Sequence, residues 1–198
     1  MNNPNRRTVL ACLTAASAFF ASPTVAMTTD SARNLIGDVV GEINSVINSG
    51  KSEGAMFRDF EALFKKYADV PTISRSALGP PARSASSKQL SDFSDAFTGY
   101  LARKYGRQFR DFIGGEITVE SARQVKRFQE VQAVAKLRGQ SPFNVTFMVS
   151  DRSGRELFFD LLIEGISLLK SERAEIGAML DKRGGNIDRL IRDLNALG

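Results

Sequence analysis

From Ser31 to Ser49 the apolar positions Leu35, Ile36, Val39, Val40, Ile43, Val46 and Ile47 recur at intervals of three and four, the spacing of an amphipathic helix that Gly50 ends. A second helix is predicted through Met56, Phe60, Leu63, Phe64 and Tyr67. Asp69 can cap a short third helix with Pro71 in its first turn, where a missing N–H costs nothing, and Gly79-Pro80-Pro81 then breaks the chain. Ser86 followed by Gln89 reads as a capping box; Leu90, Phe93, Phe97, Leu101, Tyr105, Phe109 and Phe112 mark one face of the long helix behind it, which Gly114-Gly115 ends.

The period then changes from three and four to two. Ile117 and Val119 alternate with polar residues, Phe128–Leu137 reads as a strand, and Phe143, Val145, Phe147 and Val149 alternate cleanly. Asp151-Arg152-Ser153-Gly154 is a hairpin turn into Leu157–Arg173, LFFDLLIEGISLLKSER. On a regular strand Leu157, Phe159, Leu161 and Ile163 share one face, and Phe158 and Leu162 join Asp160 and Glu164 on the other. With apolar residues on both faces, this strand should be covered on both sides. A helix from about Ser171, a Gly184-Gly185 stop and a last helix carrying Ile187, Leu190, Ile191 and Leu194 close the chain. Helices at both ends of a block of consecutive strands predict an α+β fold with an antiparallel sheet flanked by helices.

The first 26 residues change the picture of charge and location. Arg6 and Arg7, the apolar stretch VLACLTAASAFFA and the small-residue site Thr24-Val25-Ala26 have the layout of a cleaved export signal, and the stretch is short of the ~20 residues of a membrane span. The paired arginines fit the twin-arginine route, and a Sec signal containing two arginines fits as well. The expectation is an exported single domain of residues 27–198. The 27 Lys and Arg of the whole chain include those two arginines and the segment holds no acid, so the remainder carries 25 against 22 acids. That modest excess is not the concentrated basic footprint of a nucleic-acid binder, and no nucleic-acid partner is expected. The one cysteine, Cys12, lies inside the signal, so no disulfide is expected after cleavage and stability must come from packing.

Composition also narrows the chemistry. The chain has no histidine, which removes Ser-His and Cys-His nucleophilic pairs and the commonest ligand of zinc, copper and iron. No GxSxG, GxGxxG or P-loop motif is present. Asp160 and Glu164 share a strand face but sit about 13 Å apart, too far to act as a carboxylate pair on one bond. Asp160 reads as a hydrogen-bonding anchor and Glu164 as a strand-end residue, so no enzyme, metal or catalytic residue is expected. Fourteen phenylalanines, no tryptophan and the alternating strands instead suggest an interior lined by Phe97, Leu101, Leu137, Val145, Phe147, Phe159, Leu161 and Ile163. A filled core and an open slot are both compatible with that set. An acyl chain entering a slot would gain ~0.8 kcal/mol per buried CH₂. Arg103, Arg107 and Arg110, with Lys104, form a basic stripe on the back of the long helix, either a solvated face or a docking surface.

Three separated blocks carry a resemblance: YADVPTISRSALG at Tyr67–Gly79, YLARKYGRQFRDFIGGEITV at Tyr100–Val119, and LFFDLLIEGISLLKSER at Leu157–Arg173. In this order they resemble the MlaC family, also called toluene-tolerance or Ttg2-type proteins, over roughly residues 31–197. The resemblance implies an apolar cavity between sheet and helices and a periplasmic carrier with phospholipid as cargo and no cofactor. It also implies two partners: an outer-membrane lipoprotein–porin complex, and an inner-membrane ABC transporter complex containing a mammalian-cell-entry domain protein. The implied role is maintenance of outer-membrane lipid asymmetry. The chain departs from the family pattern in Pro80-Pro81-Ala82, where an aromatic commonly follows ALG, and in Phe159 and Glu172, which replace tyrosines. Two other readings stay open on the residues alone: a small ketosteroid-isomerase-like pocket enzyme with Asp160 as base, and an interaction module whose interior is filled by side chains.

Overall fold

The structure, a computed structural model, describes residues 27–106 and 113–197. Four helices come first: α1 (Thr29–Ile47), α2 (Glu53–Tyr67), α3 (Val70–Leu78) and α4 (Ser87–Gly106). Strands β1 (Glu116–Val125), β2 (Phe128–Lys136), β3 (Phe143–Ser150), β4 (Leu157–Ile163) and the two-residue β5 (Ile166–Ser167) follow, then α5 (Leu168–Asp181) and α6 (Ile187–Ala196). The sheet is an antiparallel meander in chain order, β1-β2-β3-β4-β5. This is the α+β arrangement the change of period predicts. The export signal and Arg107, Phe109, Arg110 and Phe112 lie outside the described residues.

Local chemistry sets the element boundaries. Thr28 and Ser31 form a reciprocal capping box on α1, so that helix begins two residues before the periodic run does. Asp69 accepts from Thr72 N–H at the start of α3, and Pro71 sits in its first turn. Ser86 and Gln89 exchange backbone and side-chain bonds ahead of α4. Gly79 ends α3 at φ +71°, a left-handed conformation that glycine adopts without a Cβ penalty, and Pro80–Arg83 continue as a 3₁₀ turn. At Gly106, the last described residue of α4, a Cβ would collide with the Phe57 ring of α2, so the crossing of these helices depends on a bare backbone. Helix α5 starts at Leu168, three residues ahead of the sequence expectation, for a tertiary reason. Ser167 accepts from Lys170 N–H, and Asp160, on the neighbouring strand, accepts from Leu169 N–H.

A bulge corrects the predicted faces of β4. Phe147 pairs with Leu161 but Val149 pairs with Phe158, so Phe159 is the extra residue. One inserted residue exchanges the faces beyond it. Phe158 therefore joins Leu161 and Ile163 on the face of Val145, Phe147 and Val149, and Leu157 leaves it. The outer edge of β4 at the bulge is closed by the α2–α3 junction, where Asp69 N–H donates to Phe158 C=O at 2.8 Å and Ala68 bridges Phe158.

The buried residues form two principal cores. One is helical and includes Phe93, Phe97, Ile176, Leu190 and Leu194; the other joins Ile36, Val39 and Val40 of α1 to Val131, Val145, Phe147 and Val149 of the sheet. Phe158 packs against both, with its ring 5.8 Å from Phe147 and 5.9 Å from Phe64.

Candidate functional site

Between the two cores lies a cavity of about 220 Å³, floored by β3 and β4 and walled by α1, α2, α4 and the start of α5. Its described polar side chains are Tyr105, Asp160 and Glu172; the remaining described lining is apolar. Phe60, Phe64, Phe97, Phe143, Phe147, Phe158 and Phe159 supply much of the wall. Interiors normally hold few voids larger than one water, so an apolar hollow of this size is not the by-product of ordinary packing. The β4 run shows the consequence. Only Leu157 is fully buried, while Phe158, Phe159, Leu161, Leu162 and Ile163 are intermediate and none is exposed.

Of the lining expected from sequence, Phe97, Leu101, Val145, Phe147, Phe159, Leu161 and Ile163 all reach the cavity. Leu137 does not. It is buried just past the end of β2, and the inward residues of that strand, Val131, Ala133 and Ala135, lie in the core that α1 covers. Sequence reasoning missed the walls given by Val39 and Ile43 of α1, Phe60, Leu63 and Phe64 of α2, and Ile73 of α3. Their periodicity was visible, but it marks an inward face without saying whether that face meets atoms or space. Phe158 was missed because a bulge has no period.

Asp160 lines the cavity with both oxygens engaged. Oδ1 accepts from Leu161 N–H at 2.8 Å and Leu169 N–H at 3.1 Å, and Oδ2 accepts from Ser167 O–H at 2.6 Å. The carboxylate ties the bulged strand to the first turn of α5, as the anchor reading has it, and each of its oxygens already holds a donor. Glu164 closes β4 at φ +49° and binds Asn144 N–H through Oε1.

Of the predicted basic stripe, Arg103 and Lys104 lie among the described residues. Arg103 donates to the carbonyls of Leu194 and Leu197, both at 2.7 Å, and so caps the C-terminus of α6 instead of facing solvent as a free cation. Lys104 donates to Glu172 Oε1 at 2.7 Å and to Glu175, and lies over the rings of Tyr100 and Tyr105. Tyr105 O–H also donates to Glu172 Oε1, and Tyr100 O–H donates to Glu175 at 2.6 Å. Burial, then the Glu175 acceptor, pushes the Tyr100 phenol up to about 12. Burial, then Glu172, likewise raises Tyr105. Burial alone would lower Lys104, but its bonds to Glu172, Glu175 and Tyr100 together hold it above the ordinary lysine value. Those from Lys104 and then Tyr100 hold Glu175 below the ordinary carboxylate value. Glu172 is 3% exposed, and its Oε2 is buried without a hydrogen-bond partner among the described residues. An orphaned buried acceptor costs about 1–3 kcal/mol.

A helix-covered antiparallel meander with an open apolar slot at the join of its two cores defines the class of this protein. Residues 37–196 match the family described as MlaC protein, and the chain belongs to that family. A comparison with curated proteins yields no match. Among solved structures, a phospholipid-binding protein from Ralstonia solanacearum, determined in complex with a phospholipid, is similar with a TM-score of 0.72 and 18% identity, covering 83% of this chain and 95% of that one. At that identity the likeness is one of fold. No helix among the described residues is long and apolar enough to cross a membrane.

Proposed function

We propose that this protein is a phospholipid carrier that holds acyl tails in the slot between sheet and helices. The observation that carries the reading is the hollow itself. An acyl chain returns ~0.8 kcal/mol for each CH₂ it buries and needs no polar group from the wall. Membership of the MlaC family and the phospholipid-bound fold relative support the same cargo. The carrier acts in the periplasm after cleavage behind Ala26, and no catalytic step is assigned to it. It exchanges lipid with an outer-membrane lipoprotein–porin complex and with an inner-membrane ABC transporter bearing mammalian-cell-entry domains, and so maintains outer-membrane asymmetry. Organic extraction and mass spectrometry of the purified protein should recover phospholipid near stoichiometric amounts. Protein that carries none and takes none from vesicles overturns the reading in favour of a filled-core interaction module.

A further inference from the structure

We propose that Glu172 reads the polar end of the cargo, and that its unpartnered Oε2 accepts a hydrogen bond from a primary ammonium headgroup. The inference rests on the carrier reading and adds a ligand class to it. Two carboxylates line the slot, and only one has an oxygen with no donor. Both oxygens of Asp160 hold donors, Oδ1 from Leu161 and Leu169 and Oδ2 from Ser167. Among the described residues Glu172 binds Lys104 and Tyr105 through Oε1 alone, and Oε2 is buried with no donor.

The placement suits a headgroup and not a tail. Glu172 is itself 3% exposed, but its partner Lys104 is 28% exposed and Glu175, on the same lysine, 47% exposed, so the network runs from the slot wall to solvent. A headgroup held at that border would lie beside Glu172. Among the described residues of the cluster two carboxylates face one ammonium, an excess of negative charge that disfavours an anionic headgroup and favours a cation. A primary ammonium brings both the charge and the N–H that Oε2 lacks. A quaternary ammonium brings charge only, and a glycerol headgroup brings hydroxyls without the charge.

The test loads purified protein from vesicles of equal parts phosphatidylethanolamine, phosphatidylcholine and phosphatidylglycerol with matched acyl chains, then measures total lipid and headgroup ratio by mass spectrometry. Wild-type protein should enrich phosphatidylethanolamine over both others on the order of tenfold, the scale of one charge-assisted hydrogen bond. Glu172→Gln should bring the ratio back toward that of the vesicles. Glu175→Gln, which removes the same charge from the exposed end of the network, should keep most of the enrichment. Lipid bound at the vesicle ratio by the wild type, equal enrichment of phosphatidylcholine, or enrichment retained in Glu172→Gln each overturn the proposal while the carrier reading stands. Equal loss in Glu175→Gln overturns it too, by assigning the preference to net charge. Absence of any bound lipid removes the carrier reading and this one with it.

Discussion

In the helical half of the molecule, Phe93 stacks on Phe97 with ring centroids 5.5 Å apart and planes 10° apart, and both rings are fully buried. At the join of sheet and helices, Phe158, Phe159, Leu161 and Ile163 of β4 are only half-buried, although they belong to a nearly unbroken apolar run. The side chains are of one kind, so hydrophobicity does not separate the regions. What differs is the fit of the opposing elements. α4, α5 and α6 meet over Phe93, Ile176, Leu190 and Leu194 and fill their common interior. α1 and α2 meet the sheet around Val39, Val40 and Phe147 but leave the space over β3 and β4 open. A hydrophobic sequence thus supplies the wall of a filled core or of an empty slot, and shape decides which.

The largest effect should come from Phe93→Ala, which opens a cavity where none exists and should cost about 3–5 kcal/mol. Leu161→Ala, which enlarges an existing hollow at a half-buried position, should cost under ~1.5 kcal/mol. Urea unfolding of the two variants checks the difference; equal losses would mean that the slot is as tightly packed as the helical core. Leu161→Glu sharpens the contrast further. Its carboxylate can turn toward the open side of the slot, so circular dichroism should remain native while co-purified lipid falls several-fold. An unfolded Leu161→Glu with an intact lipid-loaded Phe93→Ala would reverse the assignment of the two regions.

Asp160→Ala should cost about 1–2 kcal/mol, because Leu169 N–H and Ser167 O–H lose their acceptor at the start of α5. Lipid loading should survive it, since the tails need no carboxylate; a lipid-free but stable variant would give Asp160 a direct role in binding.

Acid should act on the network that joins the regions. Lys104, then Tyr100, hold the Glu175 carboxyl below its ordinary value of 4.5. Its folded value is thus the lower one, so its contribution is present above about pH 4.5 and is lost as pH falls through the depressed folded value. Melting temperatures from pH 6 downward should therefore fall more steeply for the wild type than for Glu175→Gln; parallel curves would mean that the pairing carries no linkage.

The smallest effect concerns the lead into α1, where Met27 N–H donates to Asp151 Oδ2 at 3.2 Å across to the β3–β4 turn. Cleavage behind Ala26 would turn that amide into an ammonium. Asp151→Asn should then lower mature-protein stability by ~0.5–1 kcal/mol, the range of an exposed ion pair, with the deficit shrinking at high salt. A deficit equal in uncleaved protein would show that no charge is gained on processing.

Much of the fold was legible because it rests on short-range signals. Capping residues Asp69 and Ser86 with Gln89, the Gly79-Pro80 break and the alternation of Val145, Phe147 and Val149 each act within a few residues of themselves, and the elements fall where they point. The candidate lining was legible in the same way. Seven of the eight expected residues reach the cavity, since strand and helix periods place a side chain on an inward face. Periods do not determine what the face meets. Leu137 has the right parity and the wrong neighbours, and Arg103 has the right charge but sits beside the carbonyls of α6. The β4 bulge, the early start of α5 and the orphaned oxygen of Glu172 arise from contacts between residues distant in sequence. By itself the chain determined which atoms are apolar and which way each element turns them. Only the tertiary structure decided that two cores meet without filling the space between them, because packing volume belongs to pairs of surfaces and not to either surface alone.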